Sequence, residues 1–210
     1  MSSGVLGGTF NPIHLGHLRA AEEVRGLVSL DRIVFVPSFI PPHKALHADV
    51  SGETRLRLVR QAIRDNPFFE ANPFEVERKG KSYSIHTMEY FTMIYHEAPF
   101  FILGQDAFND ISQWFDFPRV LWVSNFVVMS RPGAQRPDLE GVLGEFAAGF
   151  YKTDRGFINS QGREIIPVEI TSIDISSTRI RQLRAKGMSV KYLVPPGVEA
   201  CMDKERMYIS

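Results

Sequence analysis

The stretch "VLGGTFNPIHLGHL", residues 5–18, changes character twice. "VLGG" (5–8) is a short apolar, strand-like run. Farther on, Leu18, Ala21, Val24 and Val28 fall at helical spacing, with Arg19, Glu22, Glu23 and Arg25 between them, which is the pattern of an amphipathic helix. "TFNPIHLG" is therefore the turn joining strand to helix. At the carboxyl end of a parallel strand, such a turn lies where open α/β sheets bind ligands. Gly7 and Gly8 let a backbone approach a ligand closely, Pro12 stiffens the turn, and the helix beginning near Gly16 offers unpaired N–H groups and a positive dipole end to an anion. His14 and His17 stand at this entrance, each able to donate hydrogen bonds to phosphate oxygens. Taken singly, His17 reads as a helix-packing residue and His14 as an ordinary loop histidine. The whole string at a strand-to-helix junction favours a phosphate cradle.

Farther along, apolar β-rich runs recur at "RIVFVP" (32–37), "FFIL" (100–103), "NFVVMS" (125–130) and "EIIPVEI" (164–170). Helical patterns are expected over 52–65, 84–96, 138–149 and 176–186, with a last short helix after "PPG" (195–197). Strands separated by helices need crossover connections, so the expected fold class is α/β: a doubly wound, mainly parallel, Rossmann-like sheet with a small C-terminal helical extension. The loops "KALHADVSG" (44–52) and "RPGAQRPD" (131–138) read as surface connections, and residues 1–210 read as one domain.

Composition narrows the function. The chain has 210 residues, 44% hydrophobic and 23% charged, and its net charge is zero, which argues against bulk-charge binding to nucleic acid. Cys201 is the single cysteine and cannot form an intramolecular disulfide. No Cys/His spacing suggests zinc, and no apolar run approaches the ~18 residues of a spanning helix. The expectations are a cytoplasmic, reducing location, no nucleic-acid or membrane partner, and no protein metal cage. A homo-oligomer is left open.

A second phosphate element is "ISSTRIR" (175–181), which follows the last expected strand and opens a helix, with Ser176, Ser177 and Thr178 as capping candidates. Between Arg179 and Lys191 the chain carries five basic residues and no acid. A capped, solvated basic helix is the plain reading. A triphosphate, however, needs donors from more than one side, which pairs this element with the first.

These two motifs resemble the signatures of the nucleotidylyltransferase superfamily, T/H-x-G-H and S-T/S-x-x-R. The resemblance implies that His14 and His17 contact a nucleoside triphosphate and stabilise the transition state, and that Ser177, Thr178 and Arg181 hold the β- and γ-phosphates. It places Gly8, Thr9, Phe10 and Gly16 in the same phosphate site. Asn11 stands where many relatives have aspartate. Arg179 and Arg184 read as surface charges.

In order along the chain, "VPSFIPPHK" (36–44), "KSYSIHTM" (81–88), "ILGQDAF" (102–108), "QWFDFPRV" (113–120) and "SRPG" (130–133) resemble blocks of the bacterial-type nicotinate mononucleotide adenylyltransferase family. Physically, "IPPHK" offers His43 and Lys44 to phosphates from a rigid loop. Trp114 presents a flat face for a pyridine ring, against a plain role as a core tryptophan. "SYSIHT" begins a helix, with Ser82 or Ser84 as cap. The resemblance assigns Trp114 to ring stacking, the backbone N–H groups of Ser84 and Phe115 to a carboxylate, and Asp106 to a ribose hydroxyl. Arg131 follows the "NFVVMS" strand and is expected to border the ATP site. His47, His86 and His96 gain no role.

The implied reaction is in-line attack of the nicotinate mononucleotide phosphate on the α-phosphorus of ATP, with magnesium (Mg2+) bridging triphosphate oxygens and ligated largely by substrate and water. Nicotinamide mononucleotide and phosphopantetheine are alternative acceptors, and a non-catalytic nucleotide sensor is an alternative of another class. A redox dinucleotide domain fits less well, since "GGTFNP" lacks the G-x-G-x-x-G spacing and "RIVFVPS" does not end in an acid.

Overall fold

The computed structural model of the protein describes residues 2–42, 50–134 and 138–209. The opening stretch forms strand β1 (Ser3–Gly8), a turn, and helix α1 (Leu15–Val28), which ends where Ser29 takes a left-handed conformation and donates its N–H back to Arg25 and Gly26. There follow β2 (Arg32–Pro37), α2 (Gly52–Ile63), β3 (Phe69–Ala71), α3 (Phe74–Arg78), α4 (Ser84–Tyr95) and β4 (Phe100–Gly104). The second half comprises α5 (Gln105–Asn109), α6 (Val120–Val123), β5 (Asn125–Ser130), α7 (Leu139–Leu143), β6 (Phe150–Lys152), β7 (Phe157–Asn159), β8 (Glu164–Glu169), α8 (Ser177–Ala185) and α9 (Pro196–Lys204).

Among the described residues, eight strands form one sheet in the order β3-β2-β1-β4-β5-β8-β7-β6. Strands β3 to β8 as far as the β5–β8 pair run parallel, and β6 and β7 add an antiparallel edge. The doubly wound parallel sheet is thus present, and its order reverses between β1 and β4, the switch point where ligands bind in such sheets.

Strand side chains alternate between two apolar layers, as period-two geometry requires. Leu6, Ile33, Phe35, Ile102, Val127 and Ile166 pack with α1, α2, α8 and α9. Val5, Val34, Phe101, Leu103, Phe126 and Val128 pack with α4, α7 and the segment between β4 and β5. The expected helix over 138–149 is shorter: α7 stops at Leu143, Gly144 turns at φ 55°, and a 3₁₀ turn covers Gly144–Gly149.

The C-terminal extension is part of the core. Val198 and Met202 of α9 are 0% exposed and complete the layer beneath α2. Met202→Ala should therefore cost about 2–5 kcal/mol in urea unfolding, as for a truncated core methionine. A loss below about 0.5 kcal/mol, the usual surface value, would make α9 a peripheral appendage.

Candidate active site

The turn read from the sequence as a phosphate cradle is irregular backbone, and its peptide carbonyls lie outside both strand and helix. Arg55, fully buried on α2, donates to the Thr9 carbonyl at 2.6 Å and to the Ser38 and Phe39 carbonyls at 2.6 and 3.2 Å. Arg181 of α8 donates to the Asn11 carbonyl at 2.7 Å and to Thr178 Oγ1 at 3.2 Å, while Ser177 Oγ donates to the Pro12 carbonyl at 2.8 Å. The two expected phosphate motifs therefore meet as one construction. Ser176 rather than Ser177 or Thr178 supplies the cap of α8, its hydroxyl accepting from the Arg179 N–H.

Phe10, at φ 47°, folds its ring back into the protein, where it packs edge-on against His17 at 5.1 Å. A Cβ at Gly8 would sit 2.9 Å from that ring, so the close approach requires glycine. Because the Phe10 ring is buried, only its backbone is available to a ligand. His14 caps α1 and its ring stacks on His17, centroids 3.6 Å apart and 24° from parallel. The His14 N–H donates to His17 Nδ1 at 3.3 Å, which leaves Nε2 as the proton-bearing nitrogen of a neutral His17. His14 is 6% exposed and its Nδ1 has no hydrogen-bond partner among the described residues. Burial lowers its pKa to about 4.

These imidazoles line a cavity of about 430 Å³ at the carboxyl ends of β1, β4 and β5, together with Gly16, Gly104, Asp106 and Arg131. A second hollow, about 390 Å³, shares Leu6, Gly104 and Met129 with the first and is walled by Gly8, Thr9, Ser38 and Glu75. A third, about 410 Å³, shares Ser82, Ser84, Ala107 and Trp114 with the second and ends at Phe115. Trp114 has one edge on Phe101 and lines the latter two hollows, so it serves core and cleft together. Phe115 is 52% exposed and stacks on Tyr83 at 4.4 Å. Helix α4 begins at Ser84 with Tyr83 in the cap position and no side-chain cap, which differs from the expected serine cap. Ser82 instead accepts from the Phe39 N–H at 2.9 Å.

Comparison with known proteins gives the family. Residues 5–183 match the Cytidylyltransferase-like family. The chain is 42% identical over 99% of its length to a protein of Geotalea daltonii named "Probable nicotinate-nucleotide adenylyltransferase", covering 98% of that protein. It is 44% identical over its whole length to one of the same name from Syntrophotalea carbinolica, again covering 98%. This chain belongs to the cytidylyltransferase-like family, among the nicotinate-nucleotide adenylyltransferases. Its fold also resembles a solved nicotinic acid mononucleotide adenylyltransferase of Plasmodium falciparum complexed with NaAD, with TM-score 0.72 over 99% of this chain and 97% of the other; at 15% identity the likeness is one of fold.

Of the residues that carry the family signatures, the structure brings His14, His17, Gly16, Asp106 and Arg131 to one cavity and Gly8, Thr9, Ser84, Trp114 and Phe115 to its continuation. Ser177, Thr178 and Arg181 stand beside the turn, two of them bonded to its carbonyls. His43 and Lys44 lie outside the described residues, as does His47. Arg184 is not a solvated charge: its side chain is 11% exposed, pairs with Asp203 and donates to the Met202 carbonyl. Among the described residues, no group of three or more His, Cys, Asp or Glu side chains is placed to hold a metal ion, and no helix is long and apolar enough to cross a membrane.

The sequence reading passed over Arg55 and Glu75. Arg55 shares a helix face with Leu58, Val59 and Ala62, and a guanidinium on an apolar face is a signal that it serves buried carbonyls. Glu75 is buried in the wall of the middle hollow and accepts from Thr87 Oγ1 at 2.5 Å; burial pushes its carboxyl pKa up.

The His14 shift has a stability consequence. A native pKa near 4 against 6.5 unfolded means that the unfolded chain binds a proton first as pH falls. The stabilising effect of the neutral ring is complete above pH 6.5 and is lost down to pH 4, amounting to about 3 kcal/mol. His14→Asn should flatten the urea-unfolding stability profile between pH 6.5 and 4 relative to the unsubstituted protein. An unchanged slope would remove His14 as its source.

Proposed function

We propose that the cleft carries out adenylyl transfer from ATP to nicotinate mononucleotide, giving nicotinate adenine dinucleotide and pyrophosphate, with ATP in the histidine-lined cavity and the acceptor between Thr9 and Trp114. The observation that supports this assignment most is the continuity of the two ends. Gly104 borders both hollows, so a phosphate from each side can meet there.

The acceptor phosphate is already an anion at neutral pH, so no side chain need act as a covalent nucleophile. Catalysis then rests on alignment and on neutralising charge around the α-phosphate and the departing pyrophosphate. His17 donates through Nε2. His14, neutral in the free protein, gains affinity for a proton when a triphosphate lies against it. The N-terminus of α1 adds backbone N–H groups to the same oxygens. Ser177, Thr178 and Arg181 complete the phosphate site, with the guanidinium also fixing the turn. Asp106 and Arg131 meet the nucleoside side, and the sequence motif at 36–44 assigns His43 and Lys44 to phosphate contacts.

At the acceptor end, the first N–H groups of α4 lack intrahelical partners and suit the pyridine carboxylate, with Phe115 contributing a second backbone donor. Trp114 supplies the stacking face. Magnesium suits this donor set as an ion brought in with triphosphate and water, since it takes phosphate oxygens and few protein ligands; when bound, it neutralises charge on those oxygens. The chain is expected to work as one catalytic domain in the cytoplasm.

Pyrophosphate release from ATP with nicotinate mononucleotide, nicotinamide mononucleotide or phosphopantetheine supplied separately should favour the first. Activity only with another acceptor would overturn the carboxylate subsite, and silence with all three would favour a nucleotide sensor. His17→Ala should lower kcat about 10²–10³-fold with little change in acceptor KM, the pattern of a lost transition-state donor. Trp114→Ala should raise acceptor KM about 10- to 100-fold, in line with the loss of one base-stacking face. Unchanged acceptor KM would return Trp114 to the core alone.

A further inference from the structure

The last described residues of the chain come back to the catalytic turn. Tyr208 OH donates to Asn11 Oδ1 at 2.5 Å, a contact between residues 197 apart in sequence. Asn11 is 6% exposed, and its carbonyl is already held by Arg181. The residue is therefore gripped through backbone and side chain at once. Around it, Ser177 holds the Pro12 carbonyl and Arg55 the Thr9 carbonyl, while Phe10, next in the chain, keeps a left-handed backbone with its ring on His17.

The tail is shaped for this contact. Chain ends fray unless they are tied down. Here Met207 is 7% exposed in the core and donates its N–H to the Met202 carbonyl at 2.9 Å, and Arg184 reaches the Met207 carbonyl at 3.4 Å. Arg206 and Tyr208 both adopt left-handed backbone, at φ 51° and 59°, which is unfavourable for residues with a Cβ. Burial, opposed by the nearby Arg181 and Arg55 charges, raises the Tyr208 phenol pKa, so the hydroxyl remains a donor through the neutral range.

We infer that Tyr208 is a positioning residue for the reaction: its hydroxyl, through Asn11, holds the turn that sets the Phe10–His17 and His14–His17 contacts. This rests on the proposed reaction for its kinetic consequence, and on hydrogen bonding alone for its structural one. Removing the hydroxyl leaves a buried amide oxygen without a partner, and the turn relaxes to find one.

Tyr208→Phe keeps the ring and its packing, so the variant folds. Its hydrogen–deuterium exchange should rise by about tenfold at amides within 9–17, with no change in β4 or α4, and kcat should fall by about tenfold while acceptor KM stays within about twofold. Asn11→Ala should show the same exchange signature, and the double variant should lose no more than the worse single one, since both remove one bond. Unaltered exchange at the turn in Tyr208→Phe, or losses that multiply in the double variant, would overturn the inference. Should the unsubstituted protein release no pyrophosphate, the reaction assignment fails while the exchange measurements still decide the role of Tyr208.

Discussion

The turn between β1 and α1 is irregular, and irregular backbone cannot be buried beside a core unless its carbonyls find partners. In this protein that constraint is met by side chains from elsewhere. The Thr9, Asn11 and Pro12 carbonyls are taken by Arg55, Arg181 and Ser177, from α2 and α8. Each carbonyl left unpaired would cost about 1–3 kcal/mol. Because a peptide unit is planar, fixing the Thr9 and Pro12 carbonyls also fixes the Phe10 and Ile13 N–H groups, while the Asn11 carbonyl, joined to proline, anchors the chain path alone. Groups that never need touch a ligand thus decide where the turn presents its donors.

The choice of residue follows from geometry. A guanidinium offers five N–H donors in a planar fork, and Arg55 uses two of its nitrogens to span carbonyls from the ends of β1 and β2. A lysine ammonium is a point donor and cannot span them. The Trp114 end of the cleft repeats the scheme in acidic form: Thr87 holds Glu75, Ser82 holds the Phe39 N–H, and the start of α4 is set between them. Two of the side-chain atoms buried without a partner among the described residues, His14 Nδ1 and Ser38 Oγ, belong to residues lining the cleft, where a ligand can complete them.

The strand-turn-helix at 5–18 and the five main strands were legible because hydrophobic periodicity and glycine punctuation are local signals. Strands β3, β6 and β7 are three residues each, too short for any period to register. The helix expected at 138–149 broke at Gly144, where the φ of 55° fits glycine at the end of α7. His14 and His17 were legible from spacing, and their stacking was not. Arg184 was misread as solvated because its partners, Asp203 and the carbonyls of Met202 and Met207, lie on the next helix and the returning tail. Tyr208 sits in no motif and gains meaning only from a contact with the other end of the chain.

The two glycines at the ends of the central strands separate packing from function. Gly8 is demanded by the protein itself, since a Cβ there would strike the Phe10 ring. Gly104, the last residue of β4, is different: among the described residues, a Cβ there would meet nothing within 4 Å. No contact among them accounts for the missing side chain, and its φ of −74° is open to any residue. Gly104 stands where the histidine-lined cavity passes into the adjoining hollow, at the switch point between β1 and β4. In the proposed reaction, a side chain there would occupy the space in which the two phosphates approach. On that proposal the open volume at Gly104 serves the reaction, as the filled volume at Gly8 serves the fold.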